Sequence, residues 1–392
     1  MSSTIGTISM GVRAPVIRQG DDLVKIVTDS VMAAVKENNL TLNDRDVVSV
    51  TEAVLARSQG NYVSVEDIGR DVHAKFGDET VGLVFPILSR NRFSLVLRGI
   101  AKGVKKLIVQ LSYPSDEVGN QLVGIDELDK QDINPSIMNF TEEVFRKVCP
   151  DVRHRFTGVD YIKYYKEQAP NIEIILSNDP TYILKYTKFV INADIHTRVR
   201  TRRLLQKAGA KKVLTLSDLM TNSIGGSGYH PEYGLLGSNM ATNDTLKLFP
   251  RDAMEFAAKL QKSLLAASGK KLECMVYGDG AFKDPVGGIW ELADPVVSPG
   301  YTPGLEGQPN ELKLKYIADN DLAGMDGAHA TEEMKKIIAT KAVQEQTAMK
   351  AQGTTPRRLV DLIGSLSDLT SGSGDKGTPI VLVQGYFDNY TE

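Results

Sequence analysis

Three short stretches carry side chains whose type and spacing suit chemistry. In YGDGAFKDP, residues 277–285, Asp279 stands at the end of an apolar run between Gly278 and Gly280. A carboxylate held there between small residues can reach a magnesium or manganese ion, which takes hard oxygen ligands. A turn aspartate that caps its own backbone fits the same pattern. In GSNMATND, residues 237–244, Asn239, Asn243 and Asp244 offer several oxygen atoms close together, or simply an Asn/Asp-rich turn. In TSGSGDKGTP, residues 370–379, successive glycines allow positive φ and expose backbone N–H groups that can form an anion-binding nest, with Lys376 able to neutralise a phosphate. A flexible connector between a helix and a strand accounts for that loop as well.

Regular elements must aim these stretches. Gly20-Asp21-Asp22 opens a helix over residues 21–39, on which Leu23, Ile26, Val27, Val31 and Val35 recur at helical spacing. A β-rich run follows at Val47–Val50, and Thr51 and Glu52 sit at its exit, where polar side chains are well placed to meet a ligand. Alternating strands and helices between about 80 and 225 predict an α/β module, with residues 141–169 reading as helical and amphipathic. Within it, Asp194, His196 and Arg198 fall at alternate positions of a strand end and would share one face. That face could recognise a carboxylate or phosphate, or form a salt-bridged strand exit. SYPSDEVGN, residues 112–120, reads as a surface turn, and NSIGGSGYHP, residues 222–231, as a loop or linker. Helices are expected over 250–268, about 330–350, and 357–369, with strands at LECMVYGDGAF and PIVLVQGYF.

Composition narrows the classes. With 392 residues the chain is long enough for two or three domains. A net charge of -3 gives no basic field for nucleic acid. No apolar run approaches the roughly 20 residues that span a bilayer, and MSSTIGTISMGVRAP lacks a signal-peptide core, so the expected location is the cytoplasm. Cys149 and Cys274 have no CxxC partner, and no GxxxxGK[ST] loop or GxSxG elbow is present. A nucleotide would therefore bind without the common phosphate loop.

Taken in order, six segments resemble the coenzyme F-420 gamma-glutamyl ligase family. GVRAPVIRQGDDL (11–23) is similar to that family's G-L-P-x-I followed by P-G-D-D-L, and NDRDVVSVTEAVLARSQG (43–60) to its D-G-D-V-x-V-V-T-x-K-x-V-S-K-A-E-G. YGLLGSNMATNDT (233–245) is similar to G-L-V-C-A-N-A-G-V-D-x-S-N, and LFPRDAMEFA (248–257) to L-L-P-x-D-P-D-x-S-A. VYGDGAFKDP (276–285) is similar to I-S-D-T-F-G-R-P, and GSGDKGTPIVLVQG (372–385) to G-Q-A-x-E-G-x-P-V-V-L-V-R-G.

The resemblance implies an α+β fold of mixed sheets with an inserted α/β module. Residues 1–80 and 231–392 would form the ligase core, and 81–230 the module, a candidate acceptor-binding unit. It further implies a GTP-dependent (or ATP-dependent) ligase with Mg2+ or Mn2+ that forms a gamma-glutamyl-type amide between an amino acid, glutamate in the family, and a small-molecule carboxylate acceptor, and that works as a homodimer. On the same basis Ala14, Pro15, Val16, Ile17, Glu52, Arg57, Gly374, Asp375, Lys376 and Gly377 would approach the nucleotide. Asp279, Asp244, Asn243 and Ser373 would approach the metals, and Asp279, Arg57 and Lys376 would serve catalysis. Ala53, Gln59, Gly280 and Ser373 depart from the family pattern, which leaves a nucleotide- or metabolite-binding homologue without turnover as the alternative.

Overall fold

The computed structural model describes residues 5–279, 282–283, 290–291, 296–308, 312–340, 358–372 and 376–388. Its first strands are β1 (Ile8–Val12), β2 (Val47–Thr51), β3 (Tyr62–Ser64), β4 (Thr80–Val84) and β5 (Lys106–Leu111). β6 (Phe140–Thr141), β7 (Ile172–Leu176), β8 (Phe189–Asn192), β9 (Lys212–Thr215), β10 (Asn239–Met240) and β11 (Thr245–Lys247) follow. β12 (Glu273–Tyr277), β13 (Phe282–Lys283), β14 (Trp290–Glu291), β15 (Gly300–Tyr301) and β16 (Ile380–Gln384) complete the set.

A five-stranded sheet in the order β1-β16-β2-β12-β15 unites the two ends of the chain. β2 and β12 run parallel, and β16 lies antiparallel to both β1 and β2. The apolar runs VVSVT and ECMVY are buried along their whole length because the sheet is covered on both faces. Period-two alternation divides them. Val48, Val50, Cys274, Val276, Ile380 and Leu382 pack with the helices Leu23–Glu37 and Ala253–Ser268, while Val47, Met275, Tyr277, Val381 and Val383 pack on the helix Leu359–Ser371. The first helix starts where its sequence predicts, with Asp22 accepting the Lys25 N–H at 3.1 Å and Leu23, Val27 and Val31 buried along one stripe.

A second sheet, β6-β7-β5-β4-β8-β9, is parallel except for β6. In the chain it lies between the two halves of the first sheet. Its strand order reverses between β4 and β8, and in such sheets the crevice outside the carboxyl ends at that point receives ligands. A small antiparallel sheet, β10-β11-β3, lies beside it, and Val63, Leu246 and Leu248 join the core of the parallel sheet. β13 and β14 pair antiparallel as a separate two-stranded sheet.

Residues 141–169 do not form one helix. Two short helices, Glu142–Val148 and Tyr161–Lys166, flank a turn, because Pro150 interrupts the pattern and His154 is drawn inward. There His154 Nε2 meets Asp116 Oδ2 at 2.8 Å with both side chains almost wholly buried, so the 112–120 turn is anchored through its aspartate. His154 Nδ1 accepts the Thr157 N–H, which leaves the Nε2 hydrogen for Asp116. The stretch 222–231 is likewise tied down, as the Gly228 N–H donates to Tyr62 O and the Tyr229 N–H to Asn61 Oδ1.

Candidate active site

Pairing register decides where the predicted residues meet. Val12, Ile380, Val50 and Val276 stand in one row across the five-stranded sheet. The segments that follow β1, β2 and β12, and the one that precedes β16, therefore leave at one edge. The Thr51 N–H closes that edge by donating to Pro379 O at 3.0 Å. Glu52 and Asp279 are the next side chains beyond two parallel neighbours, and both line a cavity of about 470 Å3.

Glu52 opens the short helix Glu52–Ser58 and is only 5% exposed. One carboxylate oxygen accepts from Lys247 Nζ of β11 at 2.9 Å, and the other, Oε2, is buried without a hydrogen-bond partner. Burial pushes the Glu52 carboxyl above the ordinary carboxylate range. Lys247 pulls it back, and the nearby Asp279 adds to the rise. Asp279 is ion-paired with Arg92, which comes from the loop between β4 and the helix Ser94–Lys102. The cavity thus gathers an acid–base pair from each side. Asp368 of the helix Leu359–Ser371, Asn239 and Met240 of β10, and Asn91 complete most of its lining.

The Arg92 loop is built, not slack. It leaves β4 at the strand-order reversal through Phe85, whose φ of 54° is unusual for a bulky residue. Tyr165, fully buried, donates its hydroxyl hydrogen to Ile87 O at 2.5 Å and accepts the Ser89 N–H at 2.9 Å. The Ser89 hydroxyl accepts the Arg92 N–H at 3.1 Å, and Asn91 O accepts the Met240 N–H at 2.8 Å.

Other predicted residues fall differently. Arg57 lies five residues along its helix from Glu52, on a different face, and is exposed and absent from the cavity wall. Asn243 and Asp244 are exposed on the turn joining β10 to β11, where Arg98 binds the Asn243 carbonyl and approaches Asp244 at 3.6 Å. The other end of that hairpin, Asn239 and Lys247, reaches the cavity instead. Ala14, Pro15, Val16 and Ile17 follow β1 at the shared edge. Ile17 is buried in the core and Val16 is exposed. Lys376 and Gly377 precede β16 at that edge and are exposed, while Ser373, Gly374 and Asp375 lie outside the described residues. Asp194 accepts from Thr197 and Thr201 at the start of the helix Arg198–Lys207, so Asp194, His196 and Arg198 do not share a strand face.

Arg92, Asn91, Lys247 and Asp368 are absent from the predicted set. Asp368 left a trace, as a lone acid on the stripe Val360, Ile363, Gly364, Ser367 that the helix buries. Arg92 left only the polar exit SRNR after an apolar strand.

No helix among the described residues is long and apolar enough to cross a membrane. Mixed sheets covered by helices, with an acid- and base-lined cavity at the carboxyl ends of parallel strands, define a protein of the α+β class. More narrowly, the chain belongs to the F420-0:Gamma-glutamyl ligase family, which matches residues 11–385. That match runs through the segment 81–230 expected to be an insertion. No curated protein matched the chain.

Proposed function

We propose that the protein is a nucleotide-dependent ligase that couples an amino acid, glutamate by its family, to an acceptor carboxylate through an acyl phosphate. One observation carries the reading: two acid–base pairs, Glu52–Lys247 and Asp279–Arg92, face one cavity that both large sheets help to wall. In the proposed reaction an acceptor carboxylate oxygen attacks the terminal phosphorus of GTP or ATP and the nucleoside diphosphate leaves. The amine nitrogen then attacks the acyl carbon, phosphate departs, and the amine gives up a proton. Lys247 and Arg92 offset negative charge on the phosphoryl group and on the acceptor.

The oxygen donors Asp279, Asp368, Asn239 and the unpartnered Glu52 Oε2 suit a hard cation such as Mg2+ or Mn2+. Such an ion would neutralise charge between the phosphates. Among the described residues no three acidic, histidine or cysteine side chains converge closely enough to hold one as they stand.

Phosphate release from GTP and ATP, with Mg2+ or Mn2+, on adding glutamate and candidate carboxylates tests the reading. Asp279→Asn is expected to lower turnover by about a hundredfold. Full activity in that variant removes Asp279 from the chemistry. The unconverged carboxylates, and Ala53 on the cavity wall, favour a second reading: a binding protein without turnover. Calorimetric binding of nucleotide with no phosphate release would establish it. By its family the protein is proposed to be a homodimer, which sedimentation velocity tests.

A further inference from the structure

The pairing of Arg92 with Asp279 has a cost for any cation in the cavity. Three carboxylates (Glu52, Asp279, Asp368) and two cations (Arg92, Lys247) line it among the described residues, a formal balance of -1. Lys247 is committed to Glu52 and both are well buried, at 14% and 7% side-chain exposure. Arg92 and Asp279 are more accessible, at 24% and 23%. Withdrawing the Arg92 guanidinium changes the balance to -2, which matches a divalent ion. It also uncovers the Asp279 carboxylate in the cavity that Glu52 lines, where the buried Glu52 Oε2 has no hydrogen-bond partner. The loop backbone at Arg92 is pinned through Ser89 and Tyr165, so its root stays fixed whichever partner the guanidinium takes.

We propose that Arg92, with Asn91 beside it, is the anion subsite of the cavity, and that an incoming carboxylate or phosphoryl group draws Arg92 off Asp279 and so opens Asp279 to a divalent cation. Anion and cation then bind with positive coupling, and by linkage each raises the other's affinity by the same factor. An arginine suits this exchange because its planar fork takes one carboxylate or phosphate in place of another at little cost. The closed pair keeps the cation site unmade until an anionic substrate arrives. The inference rests on the proposed function only for the presence of a cation.

Free Mn2+ is followed by electron paramagnetic resonance during titration of the full chain, alone and with acetate or inorganic phosphate. In the wild-type protein either anion should tighten Mn2+ binding by about fivefold or more. A response to acetate alone assigns the subsite to a carboxylate, and a response to phosphate alone assigns it to a phosphoryl group. Arg92→Gln should bind Mn2+ about tenfold tighter without any anion and lose the anion effect. Arg92→Lys, which keeps the charge but not the fork, should retain part of that effect. Asp279→Asn should bind weakly under all conditions. The proposal is overturned if neither anion changes wild-type Mn2+ affinity, or if the anion effect persists undiminished in a folded Arg92→Gln protein. None of these titrations measures ligation. A coupled but inactive protein keeps the latch and loses the ligase reading, whereas an active protein without coupling loses only the latch.

Discussion

At the scale of single residues, Glu52 concentrates the site's tension. A carboxylate this buried with one free oxygen is costly, and the Lys247 contact offsets only part of that cost. Its carboxyl is raised above the ordinary 4.5, so the folded state holds the proton more tightly than the unfolded chain. The stability associated with that proton is present below 4.5 and is lost as pH rises through the folded value. Glu52→Gln should flatten this decline in urea melts taken from pH 4 upward, at the expense of the Lys247 ion pair. An unchanged pH slope would mean that the Lys247 ammonium fully offsets the effect of burial on the carboxyl. His230 has the opposite sign. Burial lowers it below 6.5, and its ring is fixed neutral, with Nδ1 accepting the Tyr233 N–H at 2.9 Å and Nε2 donating to Pro250 O at 3.1 Å. Its contribution is present above 6.5 and should fade as pH falls toward the depressed folded value, and proton titration of the ring by NMR would reveal the shift.

At the scale of elements, the site depends on turns more than on strands. Tyr165→Phe removes the hydroxyl that serves both Ile87 O and the Ser89 N–H, at a cost of about 1–3 kcal/mol. If the clamp positions Arg92, the same variant should also raise the apparent KM for the acceptor more than it lowers kcat. A purely structural hydroxyl would change the melting temperature alone. Gly300 in β15 meets the backbone of Ala253, where a Cβ would lie 2.2 Å from the Ala253 carbonyl carbon. Gly300→Ala must push the helix Ala253–Ser268 off the sheet edge, destabilising the protein by about 1–3 kcal/mol in a denaturant melt.

At the scale of the whole molecule, the parallel sheet does not keep its core to itself. Val65, Ile68, Val72 and Phe76 before β4, and Leu235, Leu236, Leu246 and Leu248 after β9, belong to the same cluster as β4, β5 and β7. A fragment of residues 81–230 should therefore melt poorly or aggregate, whereas one of residues 61–249 should show cooperative unfolding by circular dichroism. Equal stability of the two fragments would contradict this account. The shared core explains how the β4 loop reaches the cavity: the small sheet β10-β11-β3 packs on the parallel sheet and also delivers Asn239, Met240 and Lys247.

The sequence by itself determined the local elements and the family. Helical spacing from Leu23, the buried runs at β2, β12 and β16, and the ordered motifs at both ends are all local patterns, written in side-chain periodicity and turn residues. They brought Glu52 and Asp279 into view because each lies one or two residues past a legible strand. The sequence could not show that a strand near residue 50 lies parallel to one near residue 275, since register depends on distant pairing. Nor could it show which end of the 239–247 hairpin faces inward, or that Arg92 crosses from one sheet to the acid of another. Those contacts are decided by packing between elements far apart in the chain, and only the tertiary structure assembles Asp279 into a cavity with Glu52, Lys247, Arg92 and Asp368.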